Sequence, residues 1–118
     1  PASTDTLVHL HETFNLFKSR SRGTDARSRG YAAGMTLASL CVLDETLGNP
    51  EYYFRIYRRK RINHREKNNP TLDRIQTRLE SELDSTPGDS EKNIGYRSGI
   101  SEAITHVMEM RKSVVAQK

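Results

Sequence analysis

Apolar residues recur along this chain at the three- and four-residue spacings of a helix. Leu7, Leu10, Phe14 and Phe17 fall on one helical face, and Leu72, Ile75, Leu79 and Leu83 fall on another. Each stripe predicts an amphipathic helix. Ser3, Thr4 or Asp5 can cap the first by accepting from free backbone N–H groups. Asn69-Pro70 opens the other, because proline loses nothing at the first helical position. Breaks follow at 20–23 and at 85–88, the second holding a Pro-Gly turn. A second helix then starts after Thr24 or Asp25, and its counterpart after Asp89 or Ser90. Gly48 closes the former, and Asn49-Pro50 begins a further helix.

The two halves resemble each other. At an offset of 65 the pairs Thr6/Thr71, Leu7/Leu72, Gly23/Gly88, Gly30/Gly95, Tyr31/Tyr96, Gly34/Gly99, Ala38/Ala103 and Val42/Val107 are identical, with no gap. Ordinary composition gives roughly two or three identities over such a window. Shared amphipathicity explains the apolar pairs but not the paired glycines and tyrosines. The common pattern is Gly-Tyr-x-x-Gly-x-x-x-Ala: Gly30, Tyr31, Gly34 and Ala38, then Gly95, Tyr96, Gly99 and Ala103. A glycine inside a helix costs about 1 kcal/mol relative to alanine, so each must be offset by something. Small residues four apart form one row that lets another helix approach closely. These eight residues are therefore expected to pack helices, with each tyrosine ring covering its neighbour and its hydroxyl in water. Gly-x-x-x-Gly is not a phosphate-binding pattern.

The expected fold is all-α: a small bundle of two tandem, pseudo-symmetric hairpins, 4–48 and 69–116, joined by a basic helix over 50–67. At 118 residues this is a single domain, 1–118. Composition thins the picture. Only 34% of residues are apolar, 29% are charged and tryptophan is absent, which predicts narrow seams between helices or a core completed by a second subunit. The longest uncharged apolar-rich run, 31–43, has 13 residues, against about 20 for a membrane span. No apolar stretch near the start suggests a signal peptide. The single cysteine, Cys41, fits a reducing compartment, so the expected location is cytoplasmic.

Charge is unevenly placed. Residues 50–67 carry seven Lys or Arg against two Glu, while the whole chain sums to +4. A second basic cluster holds Lys18, Arg20, Arg22, Arg27 and Arg29. Residues 73–91 are acidic, with Asp73, Glu80, Glu82, Asp84, Asp89 and Glu91 against Arg74 and Arg78. The chain is polarised rather than uniformly basic.

Residues suited to catalysis or metal binding do not converge in the sequence. His9 and His11 point about 200° apart on a helix, and His9-Leu10-His11-Glu12 lacks the four-residue histidine spacing of a zinc helix. His106 and Cys41 hold equivalent positions in the two halves, but three or four ligands are needed. Cys41 sits in the apolar run 37–43, where an inert buried thiol is the usual case. No phosphate loop, dinucleotide turn, triad or cysteine zinc cluster is present. The expectation is a non-enzymatic protein with no cofactor and no metal.

The candidate functional signal is the basic segment. Arg55, Arg58, Arg59, Lys60, Arg61, Arg65 and Lys67 repel one another, and phosphate would neutralise them with release of counterions. Tyr52, Tyr53 and Tyr57 can stack on bases or pack on sugars. Arg20, Arg22, Arg27 and Arg29 would assist. This points to a helical module that binds nucleic acid or a nucleoprotein. Two alternatives stay open: an acidic surface of a protein partner, including self-association as a homodimer, and a merely solvated face. In general character the chain is similar to the small accessory or inhibitor proteins of phages and mobile elements, a likeness of character only.

Overall fold

The computed structural model describes residues 4–47 and 70–116, so the expected basic helix over 50–67 lies outside the described residues. The described chain is all-α, with no strand. Its four helices are α1 (Thr4–Arg20), α2 (Ala26–Leu47), α3 (Pro70–Ser85) and α4 (Glu91–Ala116). α1 packs mainly on α2 and α3 mainly on α4, and the most extensive contact joins α2 to α4.

The helix starts are set by side chains. Asp25 Oδ2 accepts the Ser28 N–H at 3.2 Å while Ser28 Oγ donates to Asp25 Oδ1 at 2.7 Å. These two bonds from Ser28 hold the Asp25 carboxyl below its ordinary range. Ser90 Oγ accepts the Asn93 N–H at 3.1 Å at the head of α4. Both groups satisfy an amide that has no partner inside its helix. At the end of α3 the Arg97 guanidinium donates to the Leu83 carbonyl at 2.6 Å and to the Thr86 carbonyl at 2.5 Å. It thereby fastens the 86–90 turn to α4.

One core runs through all four helices. Leu7, Leu10 and Phe14 meet Met35, Ala38, Cys41 and Val42 of α2, with Leu72, Ile75 and Leu79 of α3 and Ile100, Ala103, Ile104 and Val107 of α4. Phe17 and Leu83 lie at its rim. Both sequence stripes thus face inward.

The close approach of α2 and α4 depends on glycine. A Cβ on Gly30 would overlap the Lys92 carbonyl, and one on Gly95 would overlap the Arg27 carbonyl. On Gly34 it would lie 2.7 Å from the Tyr96 carbonyl oxygen, and on Gly99 2.7 Å from that of Tyr31. Every pair keeps nearly the same separation in sequence, which requires the two helices to run parallel. Their N-termini, and the 21–25 and 86–90 turns, therefore share one end of the bundle.

Candidate binding surface

Among the described residues most cations fall into two groups, with Lys92 and Lys112 exposed on α4 outside both. The first is occupied in holding helices together. Arg74 Nε reaches Glu45 Oε1 at 2.7 Å, and Arg78 reaches Asp44 at 3.2 Å, tying α3 to α2. Arg111 bonds Gln76 at 2.8 Å and pairs with Asp73 at 3.4 Å, tying α4 to α3. Arg27 pairs with Glu91 at 2.7 Å across the heads of α2 and α4.

The second group comprises Lys18, Arg20, Arg22 and Arg29. All four are exposed, and none is in an ion pair among the described residues. The helix end, the turn and the next helix start place them around one elbow. Arg22 Nε donates to the Ser19 carbonyl at 3.2 Å. The Arg20 guanidinium lies 5.7 Å from the centroid of the Phe17 ring, whose other neighbour is the His106 ring at 4.7 Å. The elbow therefore presents four exposed cations, of which Arg20 and Arg22 each meet a neighbouring group.

Of the predicted contact residues, Arg20, Arg22, Arg27 and Arg29 gather at this elbow, with Arg27 taken up by Glu91. Tyr52, Tyr53, Tyr57, Arg55, Arg58, Arg59, Lys60, Arg61, Arg65 and Lys67 lie outside the described residues. The segment that carries them leaves α2 at Leu47. That is the helix end opposite the elbow, about 27 Å from Arg29 at 1.5 Å per residue.

Tyr31 and Tyr96 correct one expectation. Their hydroxyls are not left to water. Tyr31 donates to Glu102 Oε2 at 2.9 Å, and Tyr96 donates to Glu82 Oε1 at 2.7 Å. Burial first, and then the accepting carboxylate, pushes Tyr31 up to about 12 and raises Tyr96 as well. Sequence reasoning missed Glu82 and Glu102, because no helical spacing marks a partner on another helix, 14 residues from Tyr96 or 71 from Tyr31.

Cys41 is buried, and burial pushes its thiol up. His106, 65 residues further on, meets Phe17. Among the described residues, no three His, Cys, Asp or Glu side chains are grouped to hold a metal ion. No described helix is long and apolar enough to cross a membrane. No protein-family model matches the chain, and neither the curated proteins nor the solved structures include a match to it.

Proposed function

We propose that this chain is a non-enzymatic helical module that binds nucleic acid, or a nucleoprotein, through exposed cations. One observation carries the reading. The arginines of α3 and α4 are engaged in holding helices together, while Lys18, Arg20, Arg22 and Arg29 cluster exposed at the elbow and are in no ion pair among the described residues. A cation kept exposed and unneutralised is available to a phosphate, and each one engaged releases condensed counterions. The further seven cations of 55–67 add to this capacity by sequence.

We also take residues 4–48 and 69–116 to be two copies of one hairpin. Supporting this are the caps Asp25 and Ser90, which stand 65 residues apart, and the reciprocal approach of Gly30 to Lys92 and Gly95 to Arg27. On this reading the elbow cations are additions to one copy, because their counterparts at 83–94 are Leu83, Ser85, Pro87 and Ile94.

A gel shift with short duplex DNA and RNA at low salt tests the function. Retardation that weakens steeply with salt and tolerates sequence changes is expected. An absence of retardation by either nucleic acid, with a protein recovered by affinity purification after nuclease treatment, would favour a protein partner instead.

A further inference from the structure

Two copies of Arg-Ser-Arg-Gly flank the elbow, at residues 20–23 and 27–30. Ser21 Oγ donates to the Ser28 carbonyl at 3.2 Å, so the copies meet serine to serine. Arg20, Arg22 and Arg29 are in no ion pair among the described residues. Arg27 differs, because Glu91 holds it across the heads of α2 and α4.

That pair is loosely made. Arg27 turns one edge of its guanidinium to Glu91, with Nε at 2.8 Å and Nη2 at 2.7 Å from the same oxygen, Oε2. In the stronger fork each donor has an oxygen of its own. Both side chains are also open to water, Arg27 at 58% and Glu91 at 62% exposed. A pair so exposed shifts an equilibrium about fivefold at most.

The other carboxylates of the two turns are committed to their own helix starts. Asp25 accepts from Ser28 with both oxygens, and Asp89 Oδ1 accepts from the Asn93 side chain at 3.0 Å. Glu91 does not depend on Arg27 for its place. It lies in the first turn of α4, where free backbone N–H groups favour a negative charge.

We propose that Glu91 is a stand-in counter-ion, displaced from Arg27 by a nucleic-acid phosphate when the elbow binds, an inference that rests on the nucleic-acid reading. A phosphate brings two oxygens to the Nε–Nη2 edge, completing the fork that Glu91 does not make. The exchange adds Arg27 to Lys18, Arg20, Arg22 and Arg29, with release of a further condensed counterion. Glu91 touches no ligand in this scheme. It sets the affinity through Arg27, which must leave one anion to take another.

The test is a double-substitution cycle on the full chain. Binding to short duplex DNA, with duplex RNA in parallel, is followed by fluorescence anisotropy at fixed low salt and across a salt series. Glu91→Gln keeps the side-chain shape, removes the competing charge and should tighten binding about threefold to fivefold. Arg27→Gln should weaken binding and reduce the salt slope by about one. In the Arg27→Gln background, Glu91→Gln should change affinity by about twofold or less, since its effect passes through Arg27. Both positions are exposed, so circular dichroism should be the same for all variants. Tightening by the same factor in both backgrounds would mean that Glu91 acts through net charge alone, and overturns the inference. So does an Arg27→Gln protein with unchanged affinity and salt slope. Either result leaves the nucleic-acid reading standing, because the wild-type protein still binds. A wild-type protein that binds neither duplex removes that reading, and the inference with it.

Discussion

Gly34 and Gly99 lie back to back where α2 meets α4: a Cβ built on Gly34 falls 3.3 Å from Gly99 Cα, and one built on Gly99 falls 3.4 Å from Gly34 Cα. Backbone meets backbone here, so neither side can yield by turning a side chain. The first prediction follows from the tighter pair above them. Gly30→Ala or Gly95→Ala must drive a methyl into a carbonyl, forcing the helices apart. Each should cost more than the 1–3 kcal/mol typical of an overpacked core, roughly, despite alanine's better helix propensity. Gly34→Ala should cost about 2 kcal/mol. Gly88→Ala meets only the Arg97 side chain at 3.6 Å, and should shift stability by about 0.5 kcal/mol or less. Urea unfolding of the four variants checks the order.

The tyrosine–carboxylate pairs make stability depend on alkaline pH. Tyr31 has an ordinary value of 10.0 and is pushed up to about 12 in the fold, first by burial and then by its bond to Glu102. A raised value means that the folded state favours the neutral phenol. Its contribution is complete below pH 10 and is lost as pH rises toward 12. Absorbance titration should show Tyr31 and Tyr96 ionising late, and Tyr31→Phe should flatten the fall in stability across that window. An ordinary phenol titration at both positions would falsify the account.

Two ion pairs of equal length should differ in worth. Arg74–Glu45 and Arg27–Glu91 both measure 2.7 Å, but the Glu45 side chain is 5% exposed and Glu91 62%. Arg74→Ala removes a cation from beside a carboxylate shielded from water. It should cost about 1–3 kcal/mol, below the full buried-pair loss because Arg74 is itself partly solvated. Arg27→Ala should cost about 0.5 kcal/mol or less. Thermal unfolding in low and high salt checks both, with the salt effect larger for Arg27.

The Cys41 thiol is buried and its ionisation suppressed. Thiol reagents should therefore label the native protein slowly, at a rate set by opening of the bundle, and label it at once in denaturant. Gly30→Ala should speed native labelling sharply. Fast labelling of the intact fold would contradict the burial.

The sequence by itself determined the helices and their inward faces. Leu7, Leu10 and Phe14, with Leu72, Ile75 and Leu79, could be read from spacing alone because a helix maps sequence distance directly onto direction. The caps were legible to within two residues, Thr24 or Asp25 and Asp89 or Ser90, and the special role of Gly30, Gly34, Gly95 and Gly99 was legible for the same local reason; the structure selects Asp25 and Ser90. The basic cluster at 18–29 was visible as composition. Which of its members remain exposed without an ion pair was not, because Glu91 claims Arg27 from 64 residues away.

Only the tertiary structure decided that α2 and α4 run parallel, that Glu102 and Glu82 receive the tyrosine hydroxyls, and that the elbow stands at the end of α2 opposite Leu47. It also decided which side of α2 is left outward. The run 31–43 is apolar nearly all round, so periodicity could not separate the side meeting α4 from the side carrying Leu40. That choice is made by contact between segments distant in sequence. Its energy lies in backbone approach and in paired charges, neither of which a single helix's pattern encodes.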